Sequence, residues 1–418
     1  MPAFQTSPGM RDVLVPEAAR VRRFVDRFAR HAEAAGYGQI ITPLLEDAAV
    51  FQRVGEATDV VQKEMYRFTD NGGRDVSLRP EFTASVCRAF VQHRPATPWK
   101  VWTAGTNFRY ERPQRGRYRQ FDQVDAEVLG TEDPLVDVEM IALGWHFLQS
   151  LGLRQVRLLL NSLGEPGERA AYVEALRTYF GSRAAELSDA SVATLARNPL
   201  RVLDSKRPED AAIIAAAPTI EHFYGDASRT HFEVVRDGLD LLSIPYEVSP
   251  RLVRGLDYYV RTTFEYVGAT LDSAQNALGG GGRYDRLVES LGGPPTPGIG
   301  FAIGVDRTLL ACDDEAVFDA REPAVDMFVV DTTGGAAALA ICDEARRAGL
   351  RADRAFDGRS MKSQMKSADR SGAAVAVIVG SDEASAGTAL VRPLRGDGDQ
   401  RAVPRTDLIQ TVSDELNG

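Results

Sequence analysis

The chain has 418 residues, 44% hydrophobic and 26% charged, with a formal net charge of −10, the make-up of an ordinary globular protein long enough for two or three domains. The acidic balance excludes a protein that binds nucleic acid through overall charge, so any polyanion must be met by local patches. Three separated cysteines (Cys87, Cys312, Cys342) and five scattered histidines exclude a disulfide framework and zinc-type spacing and suit a reducing cytoplasm, and no segment approaches the ~18 apolar residues of a membrane span.

Residues 17–35 place Val21, Phe24, Val25, Phe28 and Ala29 at i, i+3, i+4 spacing, which predicts a helix ending at Gly36. It leads into residues 37–43, a short strand closed by Pro43 and suited to a sheet edge; the pair reads equally as a dimer surface and as core packing. Asn71, Gly72 and Gly73 predict a turn between strands at 65–68 and 76–78. In the following LRPEFT, Thr83 or Ser85 can cap a helix running through Phe90. Glu81, just before it, can also cap the helix or bind an ammonium group, capping being the default.

Residues 108–127, FRYERPQRGRYRQFDQVDAE, crowd Arg109, Arg112, Arg115, Arg117, Arg119 and Glu111 around Pro113 and Gly116. Unpaired buried charge is costly, and Pro and Gly interrupt helix and strand ladders, so this stretch predicts a strand, a loop and a return strand. On the return strand Gln123, Asp125 and Glu127 share one face at period two. One hairpin therefore offers arginines at its start and polar acceptors at its end, enough to hold a polyphosphate beside an amine-bearing small molecule. Taken alone, an arginine-rich loop is more often a solvated surface hairpin.

Beyond it, residues 137–151 predict a helix and 156–160 a buried strand, and residues 166–240 turn alanine-rich and helical, with RVLDSK (201–206) inside them. Strand character resumes at Ile244. Arg254 and Gly255 then lead through Asp257, Tyr258 and Tyr259 into an alternating strand at 260–267. Two adjacent tyrosines on a strand point to opposite faces, so only one is expected to line a given pocket. The run ALGGGGRYDRL (277–287) lets backbone approach a ligand or forms a flexible turn; it lacks the strand-to-helix GxGxxG context of a dinucleotide site. Residues 298–309 read as a glycine-bearing strand entering a helix, with Arg307 on the first turn aimed back at the strand end, and 311–324 as an acidic linker. Residues 325–418 alternate strands and helices, an α/β domain.

Together these pieces resemble the class II aminoacyl-tRNA synthetases, and within them the histidyl-tRNA synthetase family, nearly end to end. Residues 36–46 with Pro43, residues 108–111 with the return strand, and residues 300–307 match the three class II motifs. RGLDYYVRTTFE (254–265) and GGGRYD (280–285) match the histidine-specific signatures, with GEATDVVQKEMYRF, LRPEFT and LDSK in support. One departure is visible: Phe82 stands where the family usually has glycine, so the backbone path of that turn is not supplied by the resemblance.

The resemblance implies an α+β class II catalytic domain over residues 1–324, an antiparallel sheet flanked by helices, with a helical insertion at about 166–240 and a C-terminal α/β anticodon-binding domain over 325–418. It implies a cytoplasmic homodimer, not bound to membrane, that activates L-histidine with ATP and transfers the histidyl group to tRNA(His). Mg²⁺ would bridge the phosphates, with no protein-only metal site. Arg109, Arg117 and Arg307 would hold the phosphates, Glu111 would lie on the adenine side, and Arg254 near the histidine carboxylate and α-phosphate. Glu81, Thr83 and Gln123 would hold the α-amino group, while Glu127 and Tyr258 grip the two imidazole nitrogens and Tyr259 and Tyr284 wall the pocket. The rival from another class is the non-catalytic regulatory subunit of ATP phosphoribosyltransferase, which resembles the same core but usually lacks the C-terminal domain. Here residues 325–418, Arg109, Arg254 and Arg307 are all present, which favours the enzyme.

Overall fold

The computed structural model describes residues 4–53, 60–252, 258–271, 276–320, 325–395 and 398–417. Two compact units emerge, one formed mainly by Arg20–Asp319 and the other mainly by Ala320–Gly418. In chain order the strands of the first are β1 (Gly38–Gln39), β2 (Leu45–Asp47), β3 (Tyr66–Thr69), β4 (Asp75–Leu78), β5 (Trp99–Phe108), β6 (Gln120–Leu129), β7 (Val156–Ser162), β8 (Glu247–Val248), β9 (Val260–Gly268), β10 (Ala277–Arg283) and β11 (Gly298–Gly304). One sheet runs β1-β5-β6-β11-β10-β9-β7-β8, and a small one β2-β4-β3. The centre of the large sheet is antiparallel; only the edge pairs β1·β5 and β7·β8 are parallel.

The helix Glu17–Ala34 buries Phe24, Phe28 and Ala32, one residue per turn of its apolar stripe. Phe24 and Phe28 meet Phe147 edge-on at 5.0 and 5.1 Å, and Phe28 also faces Trp102 and Phe301 of the sheet. Truncating such a side chain to alanine costs about 3–5 kcal/mol. Phe147 belongs to the helix Pro134–Ser150, which is apolar nearly all round because it is buried nearly all round, and which Asp133 caps through the amide of Leu135 at 3.0 Å. The residues expected as a strand at 37–43 form only β1; past it Ile40 N–H donates to the carbonyl of Trp102, and the carbonyls of Thr42 and Pro43 accept from the Arg79 guanidinium instead of a neighbouring strand.

Residues 166–241 are helical as expected, with helices Pro166–Gly181, Asp189–Arg197, Pro208–Ala215 and Asp226–Leu241. Their apolar residues Tyr172, Leu176, Phe232 and Val235 join the same cluster as Phe28 and Trp102. Ser205 of the LDSK motif is a local fastener: with Ser188 and Ser191 it donates to the buried carboxylate of Asp210, at 2.6, 2.9 and 2.6 Å. Burial raises that carboxyl, but the serine hydroxyls and the Ser188 amide outweigh it and hold the pKa down to about 2. The acidic stretch expected as a linker from 311 is corrected at its start, since the helix Val305–Asp314 continues through it and buries Ala311 and Cys312.

The second unit carries β12 (Met327–Asp331), β13 (Ala352–Arg354), β14 (Val375–Val379), β15 (Thr388–Pro393) and β16 (Arg401–Pro404), in the order β13-β12-β14-β15-β16. The first three in that order are parallel and the last two antiparallel. Period-two alternation sends Met327, Val329, Val375 and Val377 into one core and Phe328, Val330, Ala376 and Ile378 into another. All three cysteines are buried and unbridged. Among the described residues no helix is long and apolar enough to cross a membrane.

Candidate active site

A cavity of ≈ 230 Å³ opens on one face of the central sheet. Its floor is β6, β10 and β11, and its lining includes Arg109, Glu111 and Arg117 from the β5–β6 hairpin, Arg307 from the helix after β11, Glu81 and Thr83 from the turn after β4, and Gln123, Asp125, Tyr258 and Tyr259. The hairpin's remaining arginines divide: Arg112 and Arg115 are exposed, while Arg119 stacks on Tyr110 at 3.8 Å and donates to the carbonyl of Glu111 at 3.0 Å.

Three guanidinium groups converge at one end. Arg109 is held by the carbonyl of Pro80 at 2.9 Å and lies over the ring of Phe121. Arg117 pairs with Glu111, and Arg307 donates to the carbonyls of Gly116 and Ala277 at 3.2 Å each. Burial first, then repulsion from Arg117 and Arg109, lowers the pKa of Arg307. Such a cluster is short of negative charge. The hairpin tip is seated on the Arg307 helix by Gly116, whose φ of +72° favours glycine and whose missing side chain would meet Leu310 at 2.7 Å.

The other end is acidic. Glu81 caps the helix Thr83–His93 through the amide of Ala84 at 2.9 Å. The expectation that Thr83 or Ser85 caps this helix is therefore corrected: Phe82 occupies the cap position without a side-chain bond, and Glu81 supplies the acceptor. Phe82 fits because its ring is fully buried under the guanidinium of Arg79, 4.2 Å away, at φ −97°, which needs no glycine. Burial raises the pKa of Glu81 against the opposing amides of Ala84 and Thr83 and the charge of Arg109.

Glu127 lies one layer deeper. It accepts from Thr83 Oγ1 at 2.6 Å and from the phenol of Tyr284. Burial pushes it up to about 8 despite those two bonds, with Glu81 adding to the shift. Gly300 of β11 sits opposite in register, and a Cβ there would fall 1.5 Å from Glu127 Oε2. The motif 3 glycine is thus the space that this carboxyl occupies. Tyr258 and Tyr259 both line the cavity, their rings 4.6 Å apart. This corrects the expectation of opposite faces: Tyr258 lies in a turn before β9 begins at Val260, so strand alternation does not govern the pair. Arg254, with Gly255 and Asp257, lies outside the described residues.

Three acids absent from the expected site also line the cavity: Asp122, Asp125 and Asp306. Asp125 was readable as a face-mate of Gln123 and Glu127. Asp306 precedes Arg307 and pairs with Arg11, 295 residues away, a contact that no local pattern signals.

The family described as "Histidyl-tRNA synthetase" matches residues 9–308, and "Anticodon binding domain" matches residues 327–415. A histidine–tRNA ligase of Rhodococcus erythropolis is 45% identical over 98% of this chain and 98% of its own length, and one of Geobacillus kaustophilus is 44% identical over 99% of each. The crystal structure of apo S. aureus histidyl-tRNA synthetase is similar in fold, with a TM-score of 0.82 at 33% identity over 98% of this chain and 100% of that one. With arginines at one end of its cavity, acids and tyrosines at the other, and both domains matched, the chain belongs to the histidyl-tRNA synthetase family.

Proposed function

We infer that the chain is a histidine–tRNA ligase that condenses L-histidine with ATP to histidyl-adenylate and pyrophosphate, then esterifies the 3′-terminal ribose of tRNA(His). The observation that carries this reading is the union, in one cavity, of Arg109, Arg117 and Arg307 with Glu81, Thr83 and Gln123. The first group suits a bent triphosphate, the second an amino acid's ammonium.

In the first step the histidine carboxylate attacks the α-phosphorus and pyrophosphate leaves. Fixed guanidiniums oppose the charge that builds on the transferring group, each well-placed donor contributing ~3 kcal/mol. Arg254 is assigned to the α-phosphate and the attacking carboxylate, with Glu111 on the adenine side. At the far end Tyr258 and Glu127 serve the imidazole, walled by Tyr259 and Tyr284. Glu127, its carboxyl pushed up to about 8 by burial and held by Thr83 and Tyr284, acts from beneath the lining. A pocket built to satisfy ring nitrogens rejects other side chains by ~10⁴–10⁵ because its own polar groups are then stranded.

Mg²⁺ fits as a nucleotide-borne ion. The phosphate oxygens would hold it, with Asp306 and Asp122 in the same cavity. Bound there it neutralises phosphate charge. Homodimerisation is supported by the exposed apolar side chains of Ile41, Leu44 and Leu45 along the motif 1 segment. The anticodon-binding match over 327–415 favours tRNA charging over the regulatory-subunit reading.

The test is ATP–pyrophosphate exchange with and without L-histidine. Exchange that requires histidine is the expected result; exchange indifferent to it removes the assignment. Arg254→Ala should cut adenylate formation by ~10²–10³ while weakening either ligand far less. An unchanged kcat would strip Arg254 of its role.

A further inference from the structure

Asp125 is 1% exposed, yet it lines the cavity, and its Oδ1 has no hydrogen-bond partner. A buried acceptor left unmet is costly, so a native structure that retains one invites the question of what completes it. Its neighbours are already engaged. Glu81 Oε1 takes the amide of Ala84, Gln123 Oε1 takes the side-chain amide of Asn107 at 2.7 Å, and both oxygens of Glu127 are occupied by Thr83 and Tyr284.

We propose that Asp125 is a specificity-determining residue whose carboxylate accepts an N–H of the substrate's α-ammonium group. This rests on the histidine-activating reading above and extends it to a residue outside the expected site. The position favours the ammonium over the imidazole. Asp125 sits on β6 one face-step from Gln123, in register between Thr103 of β5 and Ala302 of β11. Gln123, its neighbour on that strand face, is assigned to the α-amino group, and the charges acting on Asp125 come from the imidazole-side Glu127 as well as from Arg109, the residue assigned to phosphate, so it lies between the two ends of the cavity, where the amino acid's reacting carbon must sit. The amine is the charged substituent on the adjoining carbon.

The charges facing Asp125 explain why a cation is wanted. Glu127 on its own strand and Glu81 from the turn after β4 repel it, Arg79 and Arg109 attract it, and burial exceeds all four, holding its carboxyl well above the ordinary carboxylate range. The phenols of Tyr258 and Tyr284 adjoin the same acids and are themselves raised, first by burial. An arriving ammonium supplies the missing positive charge beside that carboxylate.

The experiment compares two half-ligands by calorimetry on the full chain: L-histidinol, which keeps the amine and lacks the carboxylate, and 3-(imidazol-4-yl)propionate, which keeps the carboxylate and lacks the amine. Asp125→Asn, which mimics the neutral acid and should fold, and Asp125→Ala are each expected to weaken histidinol by about tenfold to a hundredfold, with imidazolylpropionate changed by less than about threefold. Equal losses for both ligands, or a histidinol affinity that Asp125→Asn leaves intact, overturns the proposal. Because wild-type pyrophosphate exchange tests the activity independently, a protein that exchanges with histidine but shows either of those results loses only the role of Asp125.

Discussion

The raised carboxyl of Glu127 has a consequence for stability. Its folded pKa of about 8 lies above the ordinary value of 4.5, so between those two pH values the unfolded chain has released a proton that the folded one keeps. The stability contributed by this group is complete below pH ~4.5, declines by about 1.4 kcal/mol per pH unit through the window, and is gone above pH ~8. Glu127→Gln removes the titration. The gap in Tm between wild type and variant should therefore move in the variant's favour as pH rises from ~5 to ~8, and level off above. A constant gap would mean that Glu127 is ionised in the folded protein. In the same variant, KM for histidine should rise with KM for ATP little changed, which separates an imidazole-side role from a purely structural one.

The β5–β6 hairpin shows how an element turns two distant stretches into one site. Its tip rests on the helix Val305–Asp314 at Gly116, through the 3.2 Å bond from Arg307 to the Gly116 carbonyl. Gly116→Ala adds a Cβ in the left-handed region and a 2.7 Å approach to Leu310. It should lift the tip away from Arg307, raising KM for ATP by about tenfold and leaving KM for histidine within about twofold; similar changes in both would show that the hairpin does not act on the phosphate end alone. This arrangement was partly legible in the sequence. Period-two spacing placed Gln123, Asp125 and Glu127 on one face, and the Pro113/Gly116 break located the loop. Which of the three reaches the cavity was not legible, because the depth of Glu127 depends on the absence of a side chain at Gly300, on a strand 173 residues later in the chain that pairs with β6. The tyrosine pair was misread for a similar reason: alternation holds only inside a strand, and β9 starts one residue after Tyr259. Phe82 is explained only by Arg79 lying over its ring.

At the scale of the whole molecule, the C-terminal unit has what it needs to fold alone. Both faces of its sheet are covered, by the cluster around Val329 and Val377 and by that around Val330 and Ile378. Buried Gln364 ties a helix to β12 by accepting from the Asp331 amide at 2.9 Å and donating to the Asp331 carbonyl at 2.7 Å. Among the described residues, the cavity that carries the chemistry is lined by residues from 81 to 307. A chain ending at residue 320 should therefore keep histidine-dependent pyrophosphate exchange within about threefold of the full protein, since adenylate formation involves no tRNA. Charging is different. A tRNA presents its acceptor end and its anticodon at opposite ends, and losing one of two linked contacts removes about 10²–10⁴ of avidity. The truncated chain should thus lose about a hundredfold or more in kcat/KM for tRNA(His), and its residual charging should depend less steeply on salt, because fewer phosphates are neutralised on binding. If the truncated chain charged tRNA(His) as efficiently as the full one, residues 325–418 would contribute nothing to tRNA selection. Loss of exchange together with charging, from a fragment that still melts cooperatively, would place part of the activation machinery in the C-terminal unit.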